Sequence, residues 1–118
     1  MANSYRELDV WKLGIDQCTL VYRLTEGLPK EEKYGLCAQM RRTAVSIPAS
    51  IAEGSTRQRT KENLHFVSIA YSSNTELETY FILCENLSLL DTGDLTEIRS
   101  LNEHFGKKLA KYYQSLQK

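Results

Sequence analysis

Apolar residues recur every three or four positions through four long segments of this sequence, and nowhere do they alternate with a period of two. A period near 3.6 lines one face of a helix, whereas a period of two lines one face of a strand, so the pattern commits the chain to helices. The first segment covers about residues 7–26, with Leu8, Trp11, Ile15, Cys18 and Tyr22 on one stripe. The second covers about 30–53, with Leu36, Met40, Ala44, Ile47 and Ile51. The third, about 61–90, carries Phe66, Ala70, Ser73, Leu77, Tyr80, Cys84 and Leu87, widened by Ile69, Leu83 and Leu90. The fourth, about 94–116, carries Leu95, Ile98, Leu101, Phe105, Leu109, Tyr112 and Leu116.

The punctuation between segments agrees with this division. Gly27 offers a left-handed stop and Pro29 a first-turn start for the second helix. Pro48 falls inside that helix, where it removes a backbone bond and crowds the carbonyl of Ala44, so a kink is expected. Gly54 is expected to close it, and Thr60 to cap the third helix. Asp94-Leu95-Thr96-Glu97 has the order of a capping box. Short connections imply antiparallel neighbours, and the period of 3.5 in the third segment is that of left-handed bundles. The expectation is an all-α, antiparallel up-down-up-down four-helix bundle, a single domain spanning residues 1–118.

Composition narrows the function classes. Basic and acidic residues number 15 each, so the chain lacks the basic excess of a dedicated nucleic-acid binder. Three widely spaced cysteines, Cys18, Cys37 and Cys84, do not read as a disulfide framework, which favours a reducing compartment. The start of the chain is polar and lacks the apolar run of a signal peptide, and no apolar stretch approaches the roughly 20 residues that cross a bilayer. A cytoplasmic protein without membrane contact is expected.

The residues offer no catalytic constellation. Glu62 and His65 make one Glu-x-x-His, but a di-metal bundle needs two such motifs and two further inward glutamates. His104, the other histidine, has no glutamate three residues before it. Neither a nucleophile elbow nor a phosphate-binding glycine loop is present. The expectation is therefore no enzyme, no metal, no cofactor and no small-molecule substrate. The cysteines lie on or near apolar stripes and read as inert buried thiols.

Two features stand out from this background. Glu76 falls on the apolar side of the third segment, where an unpaired carboxylate would be costly, so a buried pair with Arg41 or Arg42 is expected. Between residues 41 and 61 lie Arg41, Arg42, Arg57, Arg59 and Lys61, opposed by Glu53 and Glu62 alone. Such a cluster suits phosphate contact, although solvated charge near a helix junction has the same composition. Lys107, Lys108, Lys111 and Lys118 follow with no acid after Glu103.

Leu28-Pro29-Lys30-Glu31-Glu32-Lys33-Tyr34-Gly35-Leu36 continues through Gln39-Met40-Arg41-Arg42, Val45-Ser46-Ile47-Pro48 and Ile51-Ala52-Glu53-Gly54-Ser55. Ala70-Tyr71-Ser72-Ser73-Asn74-Thr75-Glu76-Leu77-Glu78 follows in the third segment. In these stretches the chain resembles the bacterial 23S rRNA intervening sequence proteins, with Pro48, Glu53, Gly54 and Glu76 among the signature positions. Ser50 stands where that family often has Asn, and Ser72 where it often has Gly; both stay small. The resemblance implies a four-helix bundle assembled as a ring-like homopentamer. At the level of fold it extends to the accessory protein of diversity-generating retroelements, which partners a reverse transcriptase. The combined expectation is a non-enzymatic oligomeric scaffold that contacts RNA or DNA through its basic loop region. The alternative is a protein-binding or structural homo-oligomer without nucleic acid.

Overall fold

A computed structural model describes residues 4–118; the polar start expected at residues 1–3 lies outside them. Four helices account for most of the chain: α1 (Asp9–Thr25), α2 (Leu36–Ser55), α3 (Thr60–Asn86) and α4 (Thr92–Leu116). No strand occurs among the described residues. Each helix packs on its sequence neighbour, and α1 closes on α4, giving an antiparallel four-helix bundle 44 Å long and about 20 Å across. This is the expected architecture.

The core forms where the apolar rows converge. Met40, Ala44, Ile47 and Ile51 of α2 meet Leu77, Phe81 and Cys84 of α3 and Leu95, Ile98, Phe105 and Leu109 of α4. The rows expected in α2 and α4 are those that face inward. In α1 the phase differs, and in α3 Ala70, Leu77 and Cys84 of the expected row are buried while Phe66, Ser73, Tyr80 and Leu87 are not. The buried row of α1 is Val10, Gly14, Gln17, Val21 and Thr25, while the larger Ile15 and Tyr22 stand about 40% exposed. The buried row of α3 is Val67, Ala70, Asn74, Leu77, Phe81 and Cys84, and Ile69, Leu83 and Leu87 face outward.

The reason is a trio of buried amides at mid-bundle. Gln17 Nε2 donates to Asn74 Oδ1 (2.9 Å), Asn102 Nδ2 donates to Gln17 Oε1 (3.0 Å), and Asn74 Nδ2 donates to the Asn102 carbonyl (3.1 Å). All three side chains are buried, so each must find partners inside, and the rotational setting of α1, α3 and α4 supplies them. Meeting this requirement turns the bulkier apolar residues of α1 and α3 away from the axis.

Several expected boundaries move for local reasons. Lys30–Glu32 forms only a 3-10 turn, and α2 starts at Leu36, whose N–H is capped by Glu32 Oε1 at 3.1 Å. α3 stops at Asn86 rather than near Leu90. Ser88 adopts a left-handed conformation (φ 55°), and Leu89 N–H bonds the Cys84 carbonyl at 2.9 Å, the closure of a Schellman motif. Arg59, not Thr60, occupies the N-cap position of α3, and α4 begins at Thr92, so Asp94 lies inside the helix and forms no capping box. Glu85 holds that junction by accepting from Thr92 (3.2 Å) and Arg99 (3.2 Å).

The glycines do not act as left-handed stops, because no glycine has positive φ among the described residues. Gly54 lies within α2 and permits close approach instead. A Cβ there would sit 2.7 Å from both Asn63 Oδ1 and Phe66 Cβ of α3. Helix α2 runs unbroken through Pro48, which is buried against Gly14 of α1; a Cβ on Gly14 would lie 3.2 Å from the Pro48 ring.

Candidate nucleic-acid interface

The five basic candidates do not form one cluster. Arg41 lies in the second turn of α2 and Arg57 two residues past its end, so that about 20 Å of helix rise from Arg41 to Ser55 stands between them. Arg41 is committed to structure. Its Nε donates to Thr25 Oγ1 (2.8 Å), its guanidinium donates to the Tyr22 carbonyl (3.1 Å), and its plane lies 4.6 Å from the Tyr22 ring. It thereby satisfies groups in the last turn of α1, where a cation is favoured. Arg42 is exposed and donates to Gln39 at 3.2 Å.

Glu76 departs from expectation for the same reason that α3 is rotated. It is exposed, and no ion pair joins it to Arg41 or Arg42 among the described residues. Its Oε2 accepts from the buried Thr43 hydroxyl and from Tyr80, both at 3.0 Å. Burial, then the hydrogen bond and charge of Glu76, push the Tyr80 hydroxyl above its ordinary pKa. Glu76→Ala should therefore cost about 1 kcal/mol, the scale of partly exposed hydrogen bonds, rather than the several kcal/mol of a broken buried ion pair. Urea unfolding of the variant measures this.

Arg57 and Arg59 remain on the exposed α2–α3 connection, and Lys61 follows in the first turn of α3. Arg57 donates to Glu53 Oε2 at 2.8 Å and stacks 4.9 Å from the Phe66 ring, which holds its guanidinium over the first turns of α3. The pair with Glu53 is half-exposed, so it contributes little stability. Arg59 and Lys61 are exposed beside the N-terminus of α3, whose unpaired N–H groups add positive potential.

The antiparallel fold brings a second group to this end. Helix α4 runs back along α3, so its C-terminal turns lie beside the start of α3, and Tyr113 faces Arg57 and Lys61 across a cleft of about 630 Å³. Lys111 is exposed in the last turns of α4, and Lys118 is exposed two residues past its end. Sequence separation of some 50 residues hides the meeting of Tyr113 with Arg57 and Lys61. Lys107 lies further back and is 3.7 Å from Glu103.

Outside this end the surface is apolar in one region. Ile15 and Tyr22 share a row of α1 that borders α2, since Tyr22 lies under Arg41. Ile69, Leu83 and Leu87 share a row of α3 that borders α2 from the other side, since Glu76 in the same row reaches Thr43. Val45 of α2, 44% exposed, stands between them. These exposed apolar side chains lie on three helices around α2.

Among the described residues, no three His, Cys, Asp or Glu side chains come together as metal ligands, and the cysteines are unpaired thiols. No helix is long and apolar enough to cross a membrane. Cys84 lies against Met40, and burial, reinforced by the Glu32 carboxylate, pushes its thiol from 9.0 up to about 11. The fold thus favours the protonated thiol. Stability should hold below pH 9 and decline as the pH rises from 9 towards 11. Unfolding midpoints measured across that range should fall less for Cys84→Ala, leaving the decline due to Cys18, Tyr80 and Tyr112, which burial also pushes up.

A comparison with curated proteins finds no match. The model of the 23S rRNA-intervening sequence proteins matches residues 6–111, and this four-helix chain belongs to that family.

Proposed function

We propose that this bundle is a non-enzymatic, self-associating cytoplasmic scaffold that holds RNA or DNA by its phosphates at the α2–α3 end. The observation that carries the reading is that Arg57 and Lys61 share one cleft with Tyr113 of α4, with Arg59 exposed beside them, in a chain of zero net charge. Local asymmetry of this kind gives phosphate contact without a basic protein overall. The apolar face around α2 supports assembly with further copies, and the family resemblance suggests a homopentamer. In a ring each subunit repeats the same end, so two or three cations per subunit become a band of ten or more, and multivalent contact raises the avidity.

The same apolar face and neutral charge also favour a second reading, a structural or protein-binding oligomer with no nucleic acid. A titration with mixed RNA and DNA oligonucleotides at low salt separates the two. Wild type should bind with little sequence preference, because phosphates carry no base information. The combined Arg57→Ala, Arg59→Ala and Lys61→Ala variant should lose most of that affinity. Absence of binding by wild type would select the second reading.

A further inference from the structure

Resting on that reading, we infer that the nucleic acid taken at this end is an unpaired strand, whose bases enter a trough along the α3–α4 seam. The trough begins at the cleft between Arg57, Lys61, His65, Phe66 and Tyr113. It continues into a second cleft of about 380 Å³ that shares Ser68 and Tyr113 with the first and adds Tyr71, Gln114 and Gln117. Arg57 and Lys61 therefore line the first cleft with Phe66 and Tyr113, and Tyr71 and two exposed glutamines continue along the second. Glu62 is the acid in the wall of the first cleft.

That order of chemistry matches a nucleotide strand and not a duplex. A duplex keeps its bases stacked on one another and offers convex phosphate rails, which cannot use a ring recessed between two helices. An unpaired strand has free π-faces, and stacking on aromatic side chains tolerates any base. Tyr71 is 46% exposed and Tyr113 is half-buried, so both retain ring surface for a base. Gln114 and Gln117 are exposed amides able to meet base edges. Arg57 is already held by Glu53 and Phe66, which leaves Lys61 in the first cleft and Arg59 on the adjoining connection as the freer phosphate contacts.

Fluorescence anisotropy with one labelled oligonucleotide in three forms tests this: single strand, duplex with its complement, and an abasic strand of equal length. Wild type should prefer the single strand over both other probes by roughly ten-fold, the scale of one or two stacked bases. Tyr113→Ala should erase that preference while leaving affinity for the abasic strand intact. Tyr71→Ala, at a more exposed position, should reduce it without disturbing the bundle, with helical circular dichroism as the control. Equal affinity of wild type for all three probes overturns the inference while the phosphate reading stands, as does a preference that both tyrosine variants keep. If no probe binds at low salt, the phosphate reading falls and the inference falls with it.

Discussion

Asn102→Ala is expected to destabilise the bundle by about 2–4 kcal/mol, far more than its loss of apolar area would suggest. The side chain donates to Gln17 Oε1 and Asn74 Oδ1, both at 3.0 Å, and lies 3% exposed. Its removal leaves the Gln17 carbonyl oxygen buried without a donor. The cost then includes desolvation of that group as well as the missing bonds and the space left behind. Replacing Gln17, Asn74 and Asn102 together by leucine should recover most of the loss, because no polar group is then stranded. What the triple variant should lose is rotational definition: α1 and α3 would be free to turn Ile15, Tyr22, Ile69 and Leu83 inward. Chemical denaturation gives the stabilities, and the dispersion and line widths of methyl NMR signals report the packing. A single variant within about 0.5 kcal/mol of wild type would show that the amide trio does not set the helix phases.

Gly54→Ala should cost about 2–3 kcal/mol, although alanine is the better helix former by about 1 kcal/mol. The new methyl would lie 2.7 Å from Phe66 Cβ and from Asn63 Oδ1, and 3.3 Å from the Asn63 carbonyl oxygen. A Cβ cannot swing aside as a long side chain can, so α3 must move away from α2. That shift would carry Phe66 away from Arg57 and disturb Arg59 and Lys61 at the α2–α3 end. The same substitution at Gly93, where a Cβ meets nothing within 4 Å, should be neutral or mildly stabilising and serves as the comparison. Thermal unfolding of the two variants checks the contrast.

The bundle itself was legible because its period is carried by large apolar residues. In α2 and α4 those residues are the core, as Met40, Ile47, Leu95 and Phe105 show. In α1 and α3 the inward row includes Gly14, Gln17, Thr25 and Asn74, which a hydrophobic pattern scores as outward. The partners that justify burying Gln17 and Asn74 lie 28 to 85 positions away, so no local window contains the reason. Glu76 was misplaced by the same rotation. Gly54 was visible as a helix-breaking residue, but its function depends on Phe66 of another helix. At the candidate interface, the cations of the loop were legible one by one. Their separation from Arg41 follows from helix rise, whereas the meeting of Arg57 and Lys61 with Tyr113 requires the antiparallel return of α4.

The salt dependence of binding tests the central claim most directly. One subunit offers three cations at the α2–α3 end, Arg57, Arg59 and Lys61. Displacing counterions from three phosphates of a single strand gives a slope of log K against log salt of about −2, at roughly −0.7 per contact. Assembled protein with several subunits engaged should give a clearly steeper slope on a long single strand. The triple alanine variant should flatten it. A slope near zero, or one identical in wild type and variant, would contradict the proposal that this end of the bundle holds nucleic acid by its phosphates.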